Sequence, residues 1–192
     1  MSIVAAESIE SFFDEVVEDV LKTRGVDASQ SATRYLVGVL AEPQIGAINK
    51  PLALSLQEAL VTYEPAERFE RLRQLGDAVL YGAGFFADHF AARGLENRYV
   101  FSIGARAYVS AGAMLRGDST GLFEELAQRF EQFASVLSDV AERTLAQQPG
   151  PQSLLKLYER WLKTGSDTTA EALVEHGIYP VFGPTRGGKG VQ

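Results

Sequence analysis

The sequence predicts an all-α protein, a single-domain irregular bundle of about seven or eight helices around a central antiparallel pair rich in glycine and alanine. Three observations carry this. Apolar residues recur at steps of three and four, the period of a helix face. No stretch shows the strict alternation of a half-buried strand. Proline and glycine punctuate the periodic stretches, at Gly25, Pro43, Pro51, Pro65, Gly94, Gly117 and Pro149-Gly150-Pro151. At 192 residues the chain is long enough for one sizeable core.

The first helix is expected over residues 6–23. Ile9, Phe12, Phe13, Val16, Val17, Val20 and Leu21 make a wide apolar stripe opposite Glu10, Asp14, Glu15, Glu18 and Asp19. Gly25 ends it. The second runs over 29–41, capped by Asp27 or Ser29 and stopped before Pro43, with Tyr35, Leu36, Val39 and Leu40 facing the core. Residues 42–50 form a loop, and Pro51 opens a third helix to residue 62 that buries Leu52, Leu56 and Leu60.

The central stretch spans residues 66–115. Its first helix starts at Pro65, whose missing N–H has no helical partner to lose, and stops at Gly94. Phe69, Leu72, Gly76, Val79, Ala83, Phe86 and Phe90 form the stripe, widened by Leu75, Leu80 and Phe85. Gly76, Gly82 and Gly84 lie inside it, each at a cost of roughly 0.5–1 kcal/mol relative to alanine. Close backbone approach to the next helix, residues 97–115, would offset that cost. That helix carries Gly104, Ala105, Ala107, Ala111 and Gly112, and its stripe runs Val100, Gly104, Ala107, Ala111, Met114. The alternative is that the glycines bend the helix or open room for a ligand. Asp77 and Arg106 are the charges inside this apolar pair. Either each faces solvent from its own polar side, or both are buried, in which case they should pair, because an unpaired buried charge is costly.

Residues 119–147 make a long helix capped by Ser119, with the stripe Phe123, Leu126, Phe130, Phe133, Leu137, Val140. Two shorter helices follow, 152–163 with Leu154, Leu155, Tyr158, Trp161 and Leu162, and 167–175 up to Gly177. The helical domain is expected to end at residue 180, and the glycine-rich 181–192 to be a flexible tail.

Composition bounds the function. The net charge of −7 opposes nucleic-acid and anionic-membrane binding, which need a positive field. Arg186 and Lys189 in the tail are too sparse to supply one. No apolar run approaches a membrane span, and the start lacks the pattern of a signal peptide, so a cytoplasmic setting is expected. The chain has no cysteine and hence no thiolate chemistry.

Catalytic signatures are weak. His89 and His176 follow Asp88 and Glu175 directly, not at the Glu-x-x-His spacing of a ferritin-like di-iron site, so no metal is expected. There is no G-x-S-x-G elbow. Gly183-Pro184-Thr185-Arg186-Gly187-Gly188-Lys189-Gly190 imitates a P-loop, but Gly190 stands where Ser or Thr is required and no helix follows. The last two helices could suggest a helix-turn-helix, yet Asp167, Glu171 and Glu175 make the second one acidic.

One constellation remains. Tyr81, Phe85, Phe86, Phe90, Tyr99, Phe101 and Tyr108 gather aromatics where small residues open space, which can form an apolar pocket between helices. Asp77, Tyr81, Phe85, Phe86, Arg106 and Tyr108 are its candidate ligand-binding residues. No cofactor and no catalytic residue is assigned.

The stretch Arg71-Leu72-Arg73-Gln74-Leu75-Gly76-Asp77, with Leu80-Tyr81, Gly84-Phe85-Phe86, Gly104 and Arg106-Ala107-Tyr108, resembles a helical family of bacterial proteins of unknown function. The resemblance covers about a quarter of the chain and implies a bacterial, cytoplasmic setting, with no activity attached. The expected function is that of a non-catalytic interaction or regulatory protein, with a protein partner or self-association. A carrier of a small apolar ligand is the alternative, and an enzyme using the same pocket comes third.

Overall fold

Helical periodicity is expressed throughout the computed structural model, which describes residues 2–147, 151–165, 167–175 and 177–179. His176 and the glycine-rich segment 183–190 lie outside the described residues. Ten α-helices form among the described residues: α1 (Ser2–Arg24), α2 (Gln30–Ala41), α3 (Leu52–Leu60), α4 (Pro65–Phe85), α5 (Ala87–Ala92), α6 (Asn97–Gly112), α7 (Asp118–Gln128), α8 (Phe130–Gln147), α9 (Pro151–Thr164) and α10 (Asp167–Glu175). A 3₁₀ turn at Ile45–Asn49 lies in the loop before α3. The all-α class holds, and no helix among the described residues is long and apolar enough to cross a membrane.

The helix count exceeds the expected seven or eight because two long stripes break. The first break is at Phe86, whose backbone leaves the helical region at φ −130°, ψ 34°. There the chain turns so that α5 brings the buried Phe90 ring back over Gly82, where a Cβ would sit 2.9 Å from Phe90 Cζ. Gly94 then closes α5 at φ +70°, a conformation that glycine alone adopts cheaply, and Leu95 N–H donates to the Phe90 carbonyl. The second break is at Arg129, between α7 and α8. Its guanidinium donates to the Asp27 carbonyl and, at 2.8 Å, to Gln132 Oε1. The stripe nevertheless runs through: Phe123, Leu126, Phe130, Phe133, Leu137 and Val140 are all buried.

The chain divides into two compact units, Met1–Val140 and Ala141–Gln192. In the first, α4 and α6 share the most extensive interface, and α7 packs on the other flank of α6. Contacts of Gly76 with Tyr108 and of Val79 with Gly104 show their antiparallel register. Ser29 caps α2, its hydroxyl accepting the Ala32 N–H at 3.1 Å. The end of α1 is tied down by Arg24, which donates to both carboxylate oxygens of Asp139 at 2.5 and 2.6 Å.

The glycines do something other than let α4 and α6 approach backbone to backbone. Gly76 leaves room for the Tyr108 ring, and Gly104 receives Phe130 and Val79. Backbone approach occurs instead at Gly84, against Leu137 and Ser138 of α8.

The second unit is organised on Leu157, Trp161 and Leu173, with Tyr158, Ala170 and Ala172 around them. Its buried carboxylate, Glu142, accepts hydrogen bonds from Arg160 at 3.1 Å and from the Thr169 hydroxyl at 2.5 Å. Leu155 and Leu162, read from the sequence as part of the apolar face of α9, are exposed.

Candidate functional site

The second half of α4 is enclosed on all sides. Leu75, Gly76, Asp77, Ala78, Val79 and Leu80 are consecutively buried, so no polar face is left for a charge at position 77. Asp77 is 2% exposed and must find its partners inside. They are Tyr35 of α2 and Tyr108 of α6, whose hydroxyls donate to Oδ1 at 2.6 and 2.9 Å. Arg73, one turn earlier on α4, donates to Oδ2 at 2.7 Å. Glu70 holds Arg73 from the other side through two further bonds, at 2.6 and 3.0 Å. Gln74 in turn donates to Glu70 at 2.8 Å. One carboxylate thereby ties three helices together.

Burial pushes the Asp77 carboxyl upward, and the two phenols and Arg73 pull it back without cancelling that push. Burial also raises both phenols, reinforced by the negative charge of Asp77. Glu70 moves the opposite way, held below the usual carboxylate range chiefly by its hydrogen bond from Arg73. Every buried side-chain nitrogen and oxygen among the described residues has a partner, so this constellation presents no open polar atom to a ligand.

The two phenols predict a specific alkaline behaviour. Their folded pKa lies above the unfolded value of about 10, so the native state keeps protons that the unfolded chain loses. Their contribution to stability is complete below about pH 10 and declines above it. In a pH-jump experiment, tyrosinate absorbance from Tyr35 and Tyr108 should appear only with unfolding. Tyr35→Phe or Tyr108→Phe should remove amplitude from that slow phase and leave the rapid phase unchanged. Loss of rapid-phase amplitude instead would mean that the hydroxyls titrate in the folded state.

The predicted ligand-binding residues divide into three groups. Asp77 and Tyr108 come together as described. Tyr81, Phe85 and Phe86 form a separate aromatic group at the end of α4, with Tyr81 and Phe85 stacked at 4.6 Å and the Phe86 ring tilted against Tyr81 at 5.9 Å. Burial raises the Tyr81 phenol. Arg106 stands apart from both. It is exposed on α6 and does not pair with Asp77, so neither alternative describes the pair: Arg106 faces solvent and Asp77 is buried with other partners. Tyr35, Arg73 and Glu70 were not singled out. The i, i+4 spacing of Arg73 and Asp77 was the available signal, and Tyr35 had none beyond its place on a core stripe.

Arg106 belongs to a different feature, an open groove of about 790 Å³ between α3 and α6. Leu56, Leu60 and Val61 line one side, and Ile103, Arg106 and Val109 the other. Leu60, expected to be buried, is 37% exposed because α3 ends there; Val61 is 73% and Val109 57% exposed. Val109 also borders a smaller depression of about 290 Å³ on the α7 side of α6. Among the described residues no cluster of three or more histidines and carboxylates is placed to hold a metal. Comparison of the chain with protein-family models, curated proteins and solved structures finds no match.

Proposed function

We propose that this chain is a non-catalytic protein-interaction module that docks a partner in the α3–α6 groove. The supporting observation is the groove itself, where Leu60, Val61 and Val109 stand uncovered side by side. Contiguous uncovered apolar surface of this kind marks interaction sites. Two helices flanking an apolar trough suit a partner's helix. A small carried ligand is less well served, because such ligands are normally enclosed over most of their surface. The buried constellation at Asp77 serves neither role, since all its bonds are internal. Self-association through the groove belongs to the same reading, and the resemblance noted above suits a bacterial cytoplasmic setting.

The test places a photo-crosslinking amino acid at position 109 in cells that naturally express the protein, with the same group at exposed Glu131 as control. The expected result is a discrete protein adduct at position 109 that is absent from the control and disappears when Val61→Asp is added. Identical adducts at both positions, or a small-molecule adduct at 109, would refute the reading.

A further inference from the structure

We infer that the occupant of the α3–α6 groove is an acidic amphipathic helix of another protein; this rests on the groove being a docking site, as proposed above. The argument starts from charge. The chain carries a net charge of −7, yet the exposed line of α6 that leads into the groove carries two arginines and no acid. Arg98, Ser102, Arg106 and Val109 follow one another at steps of four, four and three, so they share one face of the helix. Both arginines are exposed, and neither makes an ion pair among the described residues. Elsewhere in the first unit Arg24, Arg71, Arg73 and Arg129 are each matched with a carboxylate and Arg68 and Arg93 donate to backbone carbonyls, while Arg34 and Arg116 are exposed and, among the described residues, unmatched but do not line the groove.

Arg106, unmatched and lining an uncovered apolar trough, and Arg98, two turns before it on the same helix face, are complementary to a helix with one apolar face and acids along its edge. The arginines are eight residues apart, about 12 Å along the axis, which matches acids spaced seven or eight residues apart on a partner helix. The arginines belong to α6, so the acidic edge of the partner faces α6; Glu124 makes the depression on the opposite flank of α6 a poorer place for acids. A second copy is a poor occupant. The acidic helices it could offer are α1 and α10, whose apolar residues Val17, Val20 and Leu21 in the one and Leu173 in the other are already buried in their own cores. Polyanions fit less well too, because two arginines in a chain of net charge −7 make no extended positive field.

The test is selection from a displayed library of helical peptides of about 18 residues against the full chain, with counter-selection on Val109→Asp. The enriched peptides should carry acids seven or eight apart beside an i, i+3, i+4, i+7 apolar stripe. Their affinity should fall about ten-fold in Arg98→Glu/Arg106→Glu and weaken with added salt. Both arginines are exposed, so this variant should fold as the parent does, which circular dichroism checks. Neutral or basic peptides that bind in a Val109-dependent way and ignore the double variant would overturn the acidic partner and leave the docking site standing. Absence of any Val109-dependent peptide would overturn both. A multimer of the chain that dissociates in the double variant would make a second copy the occupant. Binding to phosphatidylserine vesicles lost in the same variant, with no peptide selected, would show the arginines reading phosphate. Either of these last outcomes overturns the proposal.

Discussion

Asp77→Ala should destabilise the protein by about 2–4 kcal/mol, read as a lowered urea midpoint with an unchanged slope. The substitution strips Oδ1 from the Tyr35 and Tyr108 hydroxyls, and Tyr108 is fully buried. A hydrogen bond to a charged acceptor contributes about 1.5–3 kcal/mol, and a stranded buried donor costs its full desolvation. Two effects oppose this. Alanine is the better helix former by a few tenths of a kcal/mol, and removing the carboxylate relieves the desolvation that pushes it upward. Arg73 is not orphaned, because its two bonds to Glu70 survive. The hydroxyls should decide the sign. Arg106→Ala, which removes an exposed side chain, should stay within about 0.5 kcal/mol of the parent.

The same accounting separates a polar tie from a net source of stability. If burial makes the carboxylate costly and its worth lies in satisfying the phenols, removing all three polar groups together should hurt less than removing the carboxylate alone. Asp77→Leu combined with Tyr35→Phe and Tyr108→Phe should recover a substantial part of the loss in Asp77→Ala. An Asp77→Ala loss below about 0.5 kcal/mol would mean that the hydroxyls find other acceptors, and the three-helix tie would have no energetic content.

What the sequence could and could not reveal follows from the range of each interaction. The stripe from Phe123 to Val140 was legible because one helix face meets one core, and all six of its residues are buried. The breaks at Phe86 and Arg129 were not, because the three-and-four spacing continues across both. They are tied to distant partners, the Phe90 ring seated on Gly82 and the Asp27 carbonyl that receives Arg129. Asp77 was legible as a question and not as an answer. Base-before-acid spacing with Arg73 reads the same for a solvated pair as for a buried one, and Tyr35 lies 42 residues away. Leu60 misled because its spacing from Leu56 implies the core face, while its burial depends on how far α3 continues. Leu60 and Val61, at that end, line the groove, and periodicity does not encode where the helix stops.

Gly84→Ala should be far more damaging than Gly82→Ala, at about 2–3 kcal/mol net, although alanine is intrinsically the better helix residue. A Cβ at position 84 would lie 2.6 Å from Leu137 Cβ, 2.9 Å from the Leu137 carbonyl carbon and 3.2 Å from the Ser138 nitrogen. Those are atoms of helix α8 itself, so no side-chain rotation relieves the clash, and α4 must move away from α8. Gly82→Ala differs in kind. Its nearest neighbours are the Phe90 Cζ and Cε2 atoms at 2.9 and 3.0 Å, on a ring carried by the short helix α5, which can shift. Gly38 supplies the opposite sign. It lies within α2, is exposed, and would present its Cβ to open space, so Gly38→Ala should stabilise by about 0.5–1 kcal/mol through helix propensity alone. Thermal or urea unfolding of the three variants should therefore rank Gly38→Ala above the parent, Gly82→Ala below it, and Gly84→Ala lowest. If Gly84→Ala matched Gly38→Ala, α4 and α8 would not be in backbone contact, and the glycines of α4 would be serving flexibility and not fit.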